Sequence, residues 1–364
     1  MQKKIIALAV AGLVSGAAFA QTNVTVYGRA DLGYTYSKSD IKKFQGIENG
    51  QSPNGGSSYL GVQGEEALGN GLKAIFKFEW GTDIDMATSL STDRQKYVGL
   101  AGGFGQARIG QISSPRDQWM GATGAMGVNG YEAINLFVHA NLMPLTNPSR
   151  WGNAIAYNSP SFSGVELLAM YSFGEKVSAA NGDKISTTDA GRLGLGIKYA
   201  NGPLYLAANY LKRAKDDTVA VPFNPGTGAA AVAAGLDGAK GWALGGSYDF
   251  KVVKLYANYF SEKVDHKTAT KNKDTAWSLG VGVPVSSAGT VLAEYAQYKN
   301  SAYNGDNKAK GYTVGYKHVL SKRTSLYAYA TRVSNDDNIS AGWTKTAERG
   351  ENQTTFTTGI QHLF

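Results

Sequence analysis

The sequence predicts an all-β fold, a sixteen-stranded antiparallel transmembrane β-barrel with one long insert turned into it. Three observations carry that expectation. An export signal opens the chain. Stretches in which apolar and polar residues alternate then follow one another sixteen times. The connections between those stretches are short and long in turn.

Residues 1–20 read as a cleaved secretory signal. Lys3 and Lys4 precede a short apolar run, residues 5–14, and Ala18-Phe19-Ala20 is a small-x-small cleavage site. The mature chain then begins at Gln21 and forms one unit, residues 21–364. No later apolar run reaches the roughly 18 residues that a spanning helix needs. An exported chain that enters a membrane without such a helix must enter as a closed barrel. Only closure satisfies every backbone hydrogen bond in lipid.

The alternating stretches are residues 24–36, 57–66, 71–81, 93–100, 104–111, 150–158, 164–173 and 190–199. They continue with 203–212, 240–250, 251–262, 274–283, 290–299, 310–319, 324–333 and 354–364. Within 251–260, Val253, Leu255, Ala257 and Tyr259 share one face, while Lys254, Tyr256 and Asn258 share the other. One face suits lipid and the other suits water. Leu68-Gly69-Asn70, Ala101-Gly102-Gly103 and Asn201-Gly202 are tight turns, whereas 37–51, 82–92, 174–189, 213–239 and 334–353 are long and polar. Short turns at one end and long loops at the other mark an outer-membrane barrel, with both termini at the short-turn, periplasmic end. A soluble sandwich has no reason to sort its loops this way. Aromatics near strand ends, among them Tyr27, Trp80, Tyr97, Tyr171, Tyr248, Tyr316 and Tyr327, fit the girdles of such a barrel.

Residues 112–149 interrupt the alternation. The segment carries Trp119, Met120, Tyr131, Leu136, Phe137, Val138 and Leu142, so it is too apolar for a solvated tail. It is expected to fold inward, as the third long loop, and narrow a pore. Residues 132–142 suggest a short helix with Ile134, Phe137 and Val138 toward the wall. Gly121, Gly124, Gly127 and Gly130 would let backbone lie close to it.

Composition removes other classes. The chain has no cysteine, and its four histidines are scattered, so neither a metal nor a cofactor is expected. No histidine neighbours a nucleophile motif, and no enzyme activity is expected. The formal charge is +8, but no run of Lys and Arg forms a nucleic-acid arm. Asp216-Asp217 and Asp336-Asp337 read as solvated loop charges, and residues 226–235 as a small-residue stretch.

Several ordered pieces resemble the general diffusion porins of Gram-negative bacteria, in the Burkholderia/Neisseria/Comamonas branch. They are Val24-Thr25-Val26-Tyr27-Gly28-Arg29, the run from Ser58-Tyr59-Leu60-Gly61 to Lys73-Ala74, and Arg94-Gln95-Lys96-Tyr97-Val98-Gly99-Leu100. Gly102-Gly103-Phe104-Gly105, Leu320-Ser321-Lys322-Arg323-Thr324 and the terminal Phe364 complete them. The resemblance implies a homotrimer whose third extracellular loop enters the lumen, with loop 82–92 latching onto a neighbour. It implies insertion by the outer-membrane assembly machinery, which reads the last strand, and a setting of outer-membrane lipid and lipopolysaccharide.

The resemblance also places basic residues on the wall opposite the insert. Arg29, Arg94 and Arg150 match those positions. Tyr59 and Gln111 stand where relatives often carry Arg, so the ladder lacks rungs; Lys96, counted on the face of Arg94, compensates in part. Asp117 and Glu132, with Arg116 beside them, are expected on the loop side. Bases on the wall and acids on the loop would set a transverse field and a weak anion preference. The expected function is passive diffusion of small ions and hydrophilic solutes across the outer membrane. A substrate-specific channel of the same architecture would need aromatics or basic groups tracking through the lumen. A secreted β-sandwich adhesin would share the alternation alone.

Overall fold

A computed structural model describes residues 23–50, 56–86, 90, 94–126, 133–139, 142–143, 149–174, 176–178, 184–187, 191–214, 236–266, 272–301, 307–343 and 345–364. Sixteen strands form the wall: β1 (Asn23–Ser39), β2 (Tyr59–Gly69), β3 (Leu72–Gly81), β4 (Lys96–Gly102), β5 (Gly105–Ser113), β6 (Arg150–Asn158), β7 (Val165–Ser172) and β8 (Arg192–Asn201). The others are β9 (Leu204–Arg213), β10 (Leu236–Asp249), β11 (Lys254–His266), β12 (Asn272–Pro284), β13 (Gly289–Asn300), β14 (Lys308–Val319), β15 (Thr324–Asn335) and β16 (Gln353–Leu363). Each pairs antiparallel with its sequence neighbours, and β16 returns to β1 with Arg29 opposite Leu363. The sheet is therefore closed and has no free edge, as the expected barrel requires.

The seam is tight. Gly28 and Phe364 exchange two backbone hydrogen bonds, at 3.0 and 3.1 Å. A Cβ at position 28 would stand 2.3 Å from the Phe364 ring, so only glycine admits that ring there. Farther in, Gln361 Nε2 donates to Asp31 Oδ2 and Tyr327 donates to Asp31 Oδ1.

Two strand pieces lie in stretches that read as loops. Lys43–Asn49 folds back on β1 and pairs with its residues 32–38. Phe44 and Ile47 fall on opposite faces of it, so no alternation marked it in the sequence, and Phe44 packs on Trp343 with ring centroids 4.8 Å apart. Lys176–Ser178 and Lys184–Thr187 form a small hairpin beyond β7.

Alternation sorts the wall into two faces. Val98, Leu100, Ile109, Ile155, Leu206, Leu255 and Ile360 are exposed on one side. Asp31, Thr35, Glu79, Asn209, Asn258, Glu294 and Thr357 are buried on the other. The apolar side faces out, since a single closed sheet has no partner layer to bury it. Three girdle aromatics break the expectation. Tyr27, Tyr97 and Tyr327 sit on inward positions. Tyr27 donates to Glu79, the Tyr97 ring lies under Arg108, and Tyr327 donates to Asp31.

Among its described residues the insert contains two α-helices, where one was expected. Ser114 caps α1 (Pro115–Trp119) by accepting from the Asp117 amide, and Pro115 opens it. A 3₁₀ turn, Met120–Ala122, follows. The expected second helix is α2 (Ala133–His139), shorter than residues 132–142. Tyr131, Glu132, Gly127 and Gly130 lie outside the described residues, as does the Val138 side chain.

The insert is held against the inward side of β8 to β14. Tyr205 donates to the Trp119 carbonyl, Asn258 Nδ2 to the Thr123 carbonyl, and the Ile134 amide to Glu294. Phe137 lies 6.1 Å from the Tyr298 ring, centroid to centroid. A row of wall glycines makes room. A Cβ at Gly194 would meet Pro115 at 2.4 Å, at Gly196 Trp119 at 2.6 Å, at Gly245 Met120 at 2.7 Å, and at Gly280 Ala125 at 2.8 Å. Those four glycines, on the three strands β8, β10 and β12, cut a track for the insert. Trp119, Met120, Met126, Ile134 and Phe137 are all buried in or beside it.

Candidate functional site: a basic arc facing the insert

The strand ends of β1 to β6 bring separated charges together. Register sets Arg29 opposite Tyr59, and Tyr59 opposite Gly81, two residues beyond Glu79. The Glu79 amide bonds to the Gln95 carbonyl at 2.8 Å, which holds Arg94 beside Glu79.

Tyr59 is the centre of the arrangement. The Arg94 guanidinium carbon lies 4.0 Å from its ring centroid, and that of Arg29 lies 5.4 Å away. A cation over an aromatic face is attracted by the ring quadrupole. Tyr59 thus supplies no charge but gives two arginines a platform. The position that read as a missing rung positions its neighbours.

Glu79 anchors the same group from below. Arg94 Nε is 3.5 Å from its Oε2, Lys77 Nζ is 3.8 Å from Oε1, and Tyr27 donates to Oε1 at 2.8 Å. The Lys77 ammonium also lies 5.4 Å from the Tyr27 ring centroid. Gln111 donates to the Arg94 carbonyl at 2.8 Å and fixes that backbone.

Arg108 and Lys77 belong to the arc and were not among the expected site residues. The signal for Arg108 was its inward position next to outward Ile109. Arg108 Nη2 donates to Asn158 and, at 3.3 Å, to Gln118 of the insert, so it ties α1 to the wall. The Nε atoms of Arg29, Arg108 and Arg150 are buried and have no hydrogen-bond acceptor among the described residues.

Arg150 opens β6, donates to the Ser149 hydroxyl at 3.1 Å, and lies within electrostatic reach of Arg94. Asp117 on α1 feels Arg116, Arg150 and Arg94 together. Burial pushes the Asp117 carboxyl up, and those three cations with the Ser113 hydroxyl pull it back. Asp117 therefore stands where the insert meets the basic arc.

Two expected members fall elsewhere. Lys96 pairs with Phe78 and shares strand parity with Val98 and Leu100, so it points to the apolar exterior. Arg94 lies in a bend before β4 starts, and parity does not carry across a bend. Arg116 is 2% exposed; its Nη2 donates to Asn135 of α2 at 3.0 Å, and its guanidinium lies 6.0 Å from the Phe260 ring. It joins the two helices of the insert and does not line a water path. Glu132 lies outside the described residues.

Among the described residues no group of three or more acidic, histidine or cysteine side chains gathers as a metal site. No described helix is long and apolar enough to cross a membrane.

The Gram-negative porin family matches residues 7–338. Outer membrane porin protein 32 of Delftia acidovorans is 32% identical over 375 residues, covering the whole of both chains. The major outer membrane protein P.IB of Neisseria lactamica is 27% identical, again over the whole of both. Among solved structures, an anion-selective porin from Comamonas acidovorans aligns with a TM-score of 0.77 at 27% identity, over 94% of this chain and 100% of that one. A trimer form of OmpT from Vibrio cholerae aligns with a TM-score of 0.70 at 16% identity, over 94% of this chain and 99% of that one, and shows the fold alone. A sheet closed on itself is not a sandwich, and the match runs nearly end to end: this chain belongs to the Gram-negative porins of the outer membrane.

Proposed function

We propose that the lumen passes small ions and hydrophilic solutes passively, with a weak preference for anions, through a constriction between the insert and the basic arc. The observation that carries this reading is the Arg29–Tyr59–Arg94 stack with Asp117 opposite. Cations held in a narrow, low-dielectric passage raise the local anion concentration. Glu79 and Asp117 temper that preference, since they set carboxylates beside Arg29, Lys77, Arg94, Arg108 and Arg150. The anion selectivity printed for the Comamonas structure supports the sign.

The working form is a homotrimer with the long loops outside the cell. Residues 1–20 are the export signal and are removed. The assembly machinery reads the final strand ending in Phe364, and the finished barrel contacts lipid and lipopolysaccharide. Reversal potential of the purified channel in a salt gradient tests the reading. An anion-sided potential is expected; a cation-sided one overturns it.

A second reading has one observation in its favour. Tyr27, Tyr59 and Tyr97 lie against Lys77, Arg94 and Arg108, so rings and cations alternate along the arc. Such a track fits an organic anion. Saturable block by a single aromatic carboxylate at low concentration would favour a substrate-specific channel.

A further inference from the structure

A cavity of about 280 Å³ opens on the inner wall at the short-turn end of the barrel, away from the basic arc. Strand β11 brings Lys254 and Tyr256 to it, both on the inward parity of Asn258. Gly282 and Pro284 come from β12, Thr290 from β13, and Asp249 and Lys251 from the turn between β10 and β11. The insert docks at Asn258, and Lys254 lies four residues before it, or about 13 Å along the strand. The cavity therefore belongs to the vestibule between the insert and the short turns, not to the constriction.

Its charge is unbalanced. Other inward lysines near the short turns face an acid across the strands: Lys73 Nζ is 2.7 Å from Glu65, and Lys198 Nζ is 2.7 Å from Glu166. Lys254 stands opposite Asp249 and Gly282 in register, yet makes no ion pair with a described residue. Asp249 is engaged in its own turn, where Oδ1 accepts from the Lys251 amide at 2.7 Å. Lys317 adds a further ammonium one strand on, at an inward position opposite Thr290. Lys251, Lys254 and Lys317 against Asp249 leave a positive surplus, which favours an anionic solute.

The lining says which anion. The Lys254 ammonium lies 5.2 Å from the Tyr256 ring centroid. Gly282 gives the cavity a bare floor: a Cβ there would stand 3.6 Å from the Tyr256 ring and 3.2 Å from Leu292 Cδ2. Tyr256 and Pro284 thus present two ring surfaces beside open backbone, with ammonium groups at the rim. A flat aromatic body packs well on such surfaces. A carboxylate accepts from an ammonium and a hydroxyl at once. An apolar bed with a few convergent polar groups is the usual form of a small-molecule site.

We propose that this cavity binds a small aromatic carboxylate, its ring on Tyr256 and Pro284 and its acid group between Lys254 and the Thr290 hydroxyl. The site shares no residue with the Arg29–Tyr59–Arg94 stack, so it does not depend on the selectivity of the constriction.

The test titrates benzoate into the full purified protein in detergent and follows binding by calorimetry. Lys254→Gln should weaken binding at least about tenfold, the loss expected when a charge-assisted contact goes. Gly282→Val fills the floor and should weaken binding with every lysine in place. Acetate should bind the parent at least about tenfold more weakly than benzoate, because it has the charge without the ring. The reversal potential of each variant should keep the sign of the parent, which reports an intact barrel. Equal benzoate binding by the parent and Lys254→Gln overturns the proposal. Acetate that binds as tightly as benzoate overturns it too, because the lysines alone would then hold the anion. So does a loss of binding confined to Arg94→Glu with Arg150→Glu, which would put the benzoate on the basic arc. A cation-sided parent potential, by contrast, overturns the anion preference of the passage and leaves this site standing.

Discussion

Strands β1 to β5 and strands β8 to β14 follow one alternation, yet their inward positions hold different residues. The first arc turns Arg29, Lys77, Glu79, Arg108, Tyr27, Tyr59 and Tyr97 inward. The second turns Gly194, Gly196, Gly245, Gly280, Ala207 and Ala243 inward. Long charged side chains line the first wall, which meets the insert through Arg108 and Gln118. Small residues let the insert lie down on the second. The insert packs mostly on one arc, and charged side chains line the other. Hydrophobic period decides that there is a wall, and the size of inward residues decides where the insert can lie on it.

The comparison breaks most visibly if the track is filled. Gly196→Leu with Gly280→Leu should lift the insert, raise single-channel conductance, and lower the unfolding temperature. Overpacking of this kind costs about 1–3 kcal/mol per site. Unchanged conductance would mean that the glycines do not seat the insert. Next in size, Arg94→Glu with Arg150→Glu should reverse the sign of the reversal potential, since four units of charge change in one narrow passage. A potential that stays anion-sided would remove both from the constriction.

Smaller effects sharpen the contrast within the arc. A cation over a ring is worth about 0.5–1 kcal/mol at a wet site. Tyr59→Ala should thus reduce anion preference without reversing it, and unaltered selectivity would dismiss the platform. Asp117 gives a pH signature. Its carboxyl is pushed up, so acidification neutralises it above the ordinary carboxylate range. Anion preference should rise as pH falls through that window, and Asp117→Asn should start high and lose that part of the rise. Parent and variant moving together would exclude Asp117 from the passage. The smallest expected effect is none: Lys96→Gln should leave the reversal potential where it is, because its side chain lies on the exterior.

The barrel was legible because period two survives in every strand, even where loops intervene. Of the insert, Ile134 and Phe137 toward the wall were readable from helical spacing, and Ser114-Pro115 was a cap signal in plain view. The glycine track was not readable, because each glycine looks like any other strand glycine until the insert lies on it. Lys96 went astray for a local reason: parity was counted through Arg94, and the strand begins only after it. Tyr59 read as a loss of charge because sequence comparison scores residue type, whereas a ring beside two guanidiniums acts through geometry. Tyr27, Tyr97 and Tyr327 show the same limit, since an aromatic near a strand end suits a lipid girdle or a charged lumen equally well.

The seam at Gly28 has a consequence for how the molecule comes into being. Its first strand gains its second neighbour only when the last residues arrive, as the Asp31–Gln361 bond, 330 residues apart, makes plain. No shorter piece of the chain is a barrel; until then both sheet edges are raw and ready to pair with anything extended. Contacts this distant are slow to form. Closure of the whole wall therefore waits on the last strand, with the Phe364 ring as the clasp.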